Sequence, residues 1–233
     1  FSVSLGTDAG DSNVVDWVNT GSATIFTFTN LEMQESVTYY ANVRAVDLAG
    51  NQSQVFTGDG ITIDQTGPTP GSLFDGDSID VDWVSVNFLS VGNWMGFSDD
   101  LSGIAEYQYS IGLNPGETQV VSWTSANLDS TITVSASLSE GPTYYANLRA
   151  IDSVSNVGDV ISSDGFGLDV SAPNTGLVND GDSLDIAWTN NDLSLSSNWD
   201  GFSDQYSGIK FYEYAVGTTP GGQNLIPWTN IDS

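Results

Sequence analysis

Thr143-Tyr144-Tyr145-Ala146-Asn147-Leu148-Arg149-Ala150-Ile151-Asp152 decides the fold, because Thr38-Tyr39-Tyr40-Ala41-Asn42-Val43-Arg44-Ala45-Val46-Asp47 repeats it at a distance of 105 residues. Within the later copy, Tyr144, Ala146, Leu148 and Ala150 share one face at period two, and Tyr145, Asn147, Arg149 and Ile151 share the other. That alternation predicts a half-buried strand. Working outward, the same spacing relates Pro68 to Pro173, Trp83 to Trp188, Trp94 to Trp199, Gly103 to Gly208 and Trp123 to Trp228. The chain therefore reads as an array of whole-domain repeats.

With Leu138 and Gly141 ahead of it, the stretch is Leu-x-x-Gly-x-x-Tyr-x-x-x-Leu-x-Ala, which resembles the E–F corner and F strand of a fibronectin type III domain. The resemblance implies an Ig-like, all-β sandwich, with Tyr39 and Tyr144 as the corner tyrosines that hydrogen-bond back over the turn. It further implies three units. Residues 1–66 form a partial repeat (strands C to G), 67–171 a complete one, and 172–233 a second partial one (strands A to C′). In the first, Ile25-Phe26-Thr27-Phe28 is the expected strand E. In the second, Ile79-Asp80-Val81-Asp82-Trp83 is the expected strand B, with Trp83, and its counterpart Trp188, as core residues. Strand E is expected over Thr131 to Leu138.

The excess over an ordinary domain of this kind falls in an expected B–C loop from Ser85 to Gly103. Its Asn-Trp-x-Gly-Phe-Ser-Asp segment resembles inserts in sandwich repeats of large bacterial surface proteins. Trp94, Phe97, Trp199 and Phe202 lie there, either as the loop's own hydrophobic anchor or as a platform for glycans.

Composition narrows the function. The 233 residues carry 30 acids against three basic residues, Arg44, Arg149 and Lys210, for a formal charge of −27. Such a surface repels phosphate backbones and anionic membranes, so neither nucleic acid nor membrane insertion is expected. Without Cys or His, disulfides and the usual zinc and haem ligands are excluded. Only six of the acids are Glu and the rest are Asp, a turn and ligand residue.

Calcium takes six to eight hard oxygen ligands. In the fibronectin-type topology, the linker before a domain meets its B–C and F–G loops at one end. Asp64, Asp99, Asp100, Asp152 and Asn156 gather there, with Asp169 and Asp204 at the next junction. These are the candidate calcium ligands, against the alternative that they cap turns and solvate the surface. Ser78 and Ser183 sit in Asp-Ser-aliphatic triplets that resemble bacterial O-glycosylation sites. Catalysis is not expected, because every notable feature is duplicated whereas a catalytic site normally occurs once.

The resemblance thus implies a stalk or filament segment of a longer secreted protein at a bacterial cell surface. Its partners would be neighbouring repeats, through self-assembly, and surface glycans if it is adhesive. A glycan-binding module and a spacer in a secreted hydrolase are the alternatives.

Overall fold

The computed structural model describes residues 1–76, 79–86 and 88–231, without the side chains of 88–91. The described residues form strands and connecting loops, with no helix. The first segment holds β1 (Ser2–Gly6), β2 (Val15–Asn19), β3 (Thr38–Arg44), β4 (Phe56–Thr57) and β5 (Ile61–Thr62). They make one sheet in the order β2-β1-β3-β4, with β5 also on β3.

The middle segment holds β6 (Ser72–Phe74), β7 (Trp83–Val84), β8 (Phe88–Met95), β9 (Ile104–Gly112) and β10 (Val121–Asn127). After them come β11 (Thr131–Ser135), β12 (Thr143–Asp152), β13 (Ile161–Ser162) and β14 (Phe166–Leu168). One sheet runs β10-β9-β12-β14-β7, with β13 also on β12, and the other runs β11-β8-β6. In the last segment, β15 (Leu177–Asp180) pairs with β16 (Ser197–Asp200), and β17 (Tyr212–Val216) with β18 (Ile226–Ile231).

The opening stretch behaves as its alternation predicts. It is β12, and Tyr144, Ala146, Leu148 and Ala150 are all buried. β12 pairs with β9 through Arg149↔Gln108 and Ala146↔Ile111, and β3 pairs with β1 in the same register, through Arg44↔Ser2 and Ala41↔Leu5. The core of the middle segment lies between its two sheets. Tyr109, Ile111, Leu148, Phe166 and Leu168 come from one side, and Trp94 and Val134 from the other. The Tyr144 hydroxyl donates to the Ser139 carbonyl at 3.1 Å and accepts from its amide at 2.9 Å, closing the corner before β12. Tyr39 accepts from the Gln34 amide at 2.9 Å in the same manner.

Strand assignment departs from the sequence reading in three places. Ile79 to Trp83 is not an inward-facing strand, since Ile79 is 73% and Trp83 43% exposed. Trp83 instead begins β7, a two-residue parallel partner of β14, and its ring lies across Gly167. A Cβ on Gly167 would come within 2.4 Å of that ring. The strand between β6 and β11 is β8, within the expected loop, and Trp94 on it is only 3% exposed. Trp188 is 91% exposed and outside any strand. Finally, Ile25 to Phe28 forms no strand, and Ile25 is 86% exposed. Its counterpart β11 bonds to β8, but residues 1–66 contain no strand equivalent to β8, so the backbone there has no ladder to join.

The outer face of β12 is covered where sequence alternation predicts a wetter surface. Asn147 is fully buried, donating to the Glu117 carbonyl at 2.7 Å and accepting from the Gly116 amide at 2.7 Å and the Ser162 hydroxyl at 2.6 Å. It clamps the β9–β10 turn onto the sheet. Asn42 does the same for the β1–β2 turn, through the Asp11 carbonyl at 2.6 Å and the Gly10 amide at 2.8 Å. Beside them, Arg149 reaches Gln108 at 2.7 Å and lies 4.3 Å over the Trp123 ring, a row across three strands. Arg44 lies 4.0 Å over Trp17, but the residue opposite it is Ser2, too short to reach, and its Nε is buried without a partner.

Two stability tests follow from these contacts. Trp94→Ala is expected to cost about 3–5 kcal/mol, as for a buried aromatic. Trp83→Ala, with much of its surface wet already, should cost roughly 1–2 kcal/mol. Denaturant melts that reverse this order would contradict the placement of β8. Asn147→Ala should cost about 2–3 kcal/mol by stranding the groups it pairs. Faster hydrogen exchange at the Gly116 amide should accompany the loss.

Candidate metal centre

Three carboxylates from distant parts of the chain converge where the first segment meets the middle one. Asp64 follows β5 in the linker, Asp99 lies between β8 and β9, and Asp152 ends β12. One carboxylate oxygen of each lies within 4.8 Å of the others. Asp152 is buried, and Asp64 and Asp99 are half-buried. Three of the proposed calcium ligands thus come together.

Each acid is oriented by its own loop. Asp152 Oδ1 accepts the amides of Val154 at 2.9 Å and Asn156 at 2.8 Å, holding the β12–β13 turn. Asp99 Oδ1 accepts those of Leu101 at 3.2 Å and Gly103 at 2.7 Å. Asp64 Oδ1 accepts the Thr66 amide at 3.3 Å, while its Oδ2 takes the Ser102 amide, 3.1 Å away in the next segment. These side-chain-capped turns are a local preference of Asp. Asn156 bridges the centre, its Nδ2 donating to Asp152 Oδ2 at 2.8 Å and to the Asp64 carbonyl at 3.2 Å. Asp100 is exposed and stands outside the group.

At the next junction the geometry recurs as far as the described residues reach. Asp169 Oδ2 accepts the Ser207 amide at 3.0 Å, and Asp204 Oδ1 accepts those of Tyr206 and Gly208, each at 3.0 Å. Sequence reasoning missed Glu35 and Glu140, which secure the two linkers. Glu35 accepts the Gln65 amide at 2.8 Å and the Thr66 hydroxyl at 2.9 Å; Glu140 accepts the Val170 amide and the Ser171 hydroxyl, both at 2.8 Å. Their identical spacing to Asp64 and Asp169 was the available signal.

Of the loop aromatics, Trp94 presents no exposed face for a sugar to stack on. Trp94 is sealed in the core, its ring 5.7 Å from Tyr107, and Phe97 packs edge-on against the same tyrosine at 5.4 Å. Trp199 and Phe202, both half-buried, close on Tyr212 at 5.6 and 5.8 Å. Ser183 is exposed in a bend, and Ser78 lies outside the described residues.

Burial pushes the Asp152 carboxyl up. The Asn156 side chain, the amides of Asn156 and Val154 and the Ser102 hydroxyl outweigh it and hold the group below the ordinary carboxylate range. The Ser207 hydroxyl leads the groups that lower Asp169, against burial. Asp47, at the position matching Asp152 in the first segment, is lowered chiefly by Asn51, through both its side chain and its amide. A carboxyl lowered in the fold stabilises it above its unfolded value, about 3.9 for Asp, and that contribution is lost as pH falls through the folded value. Melting temperature in chelator should therefore drop as pH falls below about 4. Asp47→Asn, outside the converging group, should make the drop shallower; an unchanged pH profile would show that this turn contributes nothing.

No family model, no curated protein and no solved structure matches this chain.

Proposed function

We propose that this chain is a segment of a semi-rigid extracellular stalk or filament at a bacterial cell surface, built from tandem fibronectin type III-like, Ig-like sandwiches. On this reading its junctions are stiffened by calcium, and its role is structural or adhesive rather than catalytic. The observation that carries the reading is the convergence of Asp64, Asp99 and Asp152. One of these acids belongs to the linker and two to the segment that follows, so an ion held among them would couple a linker to its neighbour.

Further support is the same pairing of linker and loop at Asp169 and Ser207, in a chain with a net charge of −27. Carboxylates repel one another across a junction that no cation screens, which favours a bent or mobile arrangement. Calcium replaces that repulsion with shared oxygen ligands. The Asp side chains, the Asp64 carbonyl and water supply hard oxygens, and Asn156 could present its amide oxygen after rotation of its side chain. The partners on this reading are neighbouring repeats of the same protein.

Calcium should raise stability by mass action, by about 2.7 kcal/mol at a hundredfold excess over Kd. Asp64→Asn combined with Asp99→Asn should remove that gain and leave the β-sheet circular dichroism intact. Small-angle scattering should show a longer, less variable particle in calcium than in chelator. Equal Tm and equal maximum dimension in both buffers would refute calcium-linked stiffening.

A further inference from the structure

A second group of acids lies away from the junction. After β6 the chain leaves one sheet of the middle segment at Asp75 and joins the other at Trp83, in β7. Along this crossing, Asp75 and Asp80 come together with Asp164, which lies between β13 and β14. One oxygen of each carboxylate is within 4.8 Å of the others. Asp80 and Asp164 are exposed, but Asp75 is fully buried.

What separates this group from a solvated acidic patch is Asp75 itself. Its Oδ1 takes the Val81 amide at a long 3.4 Å, while its Oδ2 is buried without a hydrogen-bond partner. A buried carboxylate oxygen left unpaired is costly, and proteins ordinarily pair such atoms or place a metal on them. The other inward-turned acids, Asp152 and Asp169, have that need met by amides. Burial holds the Asp75 carboxyl above the ordinary range, and the Asp80 carboxyl beside it raises it further.

We infer that Asp75, Asp80 and Asp164 form a second divalent-cation site, of calcium type, that pins the crossing between the two sheets. Calcium holds its oxygens at about 2.3–2.6 Å, so ligands on opposite sides of the ion stand nearly 5 Å apart; magnesium, at about 2.1 Å, draws them closer. One buried and two exposed carboxylates give the irregular oxygen cage that calcium tolerates, whereas magnesium demands near-ideal octahedral geometry. Two exposed acids leave room for water to complete the shell, and an exposed rim provides the entry path. Asp59 stands 105 residues before Asp164, and Asp180 and Asp185 stand 105 after Asp75 and Asp80, so the same ligand types recur along the chain.

The test uses the full chain carrying Asp64→Asn and Asp99→Asn, so that failure of the junction reading is seen separately, in wild type against this parent. Calcium bound per chain is measured by calorimetric titration, and Tm in chelator and in calcium. The parent should still bind calcium, and either Asp164→Asn or Asp75→Asn should lower the stoichiometry by one ion and shrink the calcium-induced rise in Tm. In chelator, Asp164→Asn should melt with the parent, and Asp75→Asn at the same temperature or higher, because it removes a buried unpaired charge. Unchanged stoichiometry in both variants would overturn the inference. So would an Asp75→Asn chain that melts well below the parent in chelator, since the carboxylate would then be a structural acceptor. Should Asp75→Asn yield no soluble protein to melt, the stoichiometry of Asp164→Asn, an exposed change, decides alone.

Discussion

Backbone amides held by aspartate side chains set the terms for this molecule. Asp47, Asp99, Asp152 and Asp204 each gather two amides from the loop that follows them. Each contact satisfies a donor that a short strand end would leave to water, and it fixes the turn that aims the next strand. In a chain without disulfides, such turns decide where strands meet. They also gather like charges, because two capped turns at one end of a sandwich bring their carboxylates together. The junction group of Asp64, Asp99 and Asp152 is a by-product of how the loops are built, and a cation is the remedy chemistry offers.

How much of this was legible depends on whether the pattern had period two. β12 was readable because its apolar residues alternate without interruption and because the stretch occurs twice. β8 was hidden. Its residues Val91, Gly92, Asn93 and Trp94 read as a loop, yet Asn93 pairs with Thr131 and Val91 with Ile132, leaving Gly92 as an extra residue. Gly92 has a φ of +40°, and a Cβ there would strike the Phe74 carbonyl, as expected where a bulge brings two backbones close. A bulge shifts the alternation, so Trp94 points inward from a run whose sequence looks irregular. Conversely, Ile79 to Trp83 alternates well, but only Trp83 of that stretch enters the other sheet's ladder, together with Val84. Periodicity reports which face is apolar, not which partner is bonded.

Of the candidate site, the junction acids were legible because topology alone brings a linker and two loops to one end. Asp99 turns inward to the group, while its neighbour Asp100 stays exposed, a difference that adjacent identical residues do not reveal in sequence. The Asp75 group was not legible. Its members are 89 residues apart at the extremes, and nothing in an Asp-rich loop distinguishes the acid that will be buried. Burial of Asp75 follows from the crossing between sheets, itself invisible until β7 and β8 are placed.

The two acid groups bear differently on mechanics. A chain pulled along its length enters the middle segment by the linker at Asp64 and leaves by the linker at Asp169, so load falls first on β6 and β14. Both ladders are short: β6 contributes three residues, and β14 pairs through two residues with β12 and two with β7. Parting them requires breaking few hydrogen bonds, and the apolar core behind would then open. A cation shared by Asp75, just after β6, and Asp164, just before β14, would join the first and last strands directly, across the gap between the sheets. With cations bound, the junction group would hold one segment to the next and the crossing group would hold one segment to itself. On the proposed stalk reading both would be needed, because stiff joints transmit force to whichever sandwich yields first.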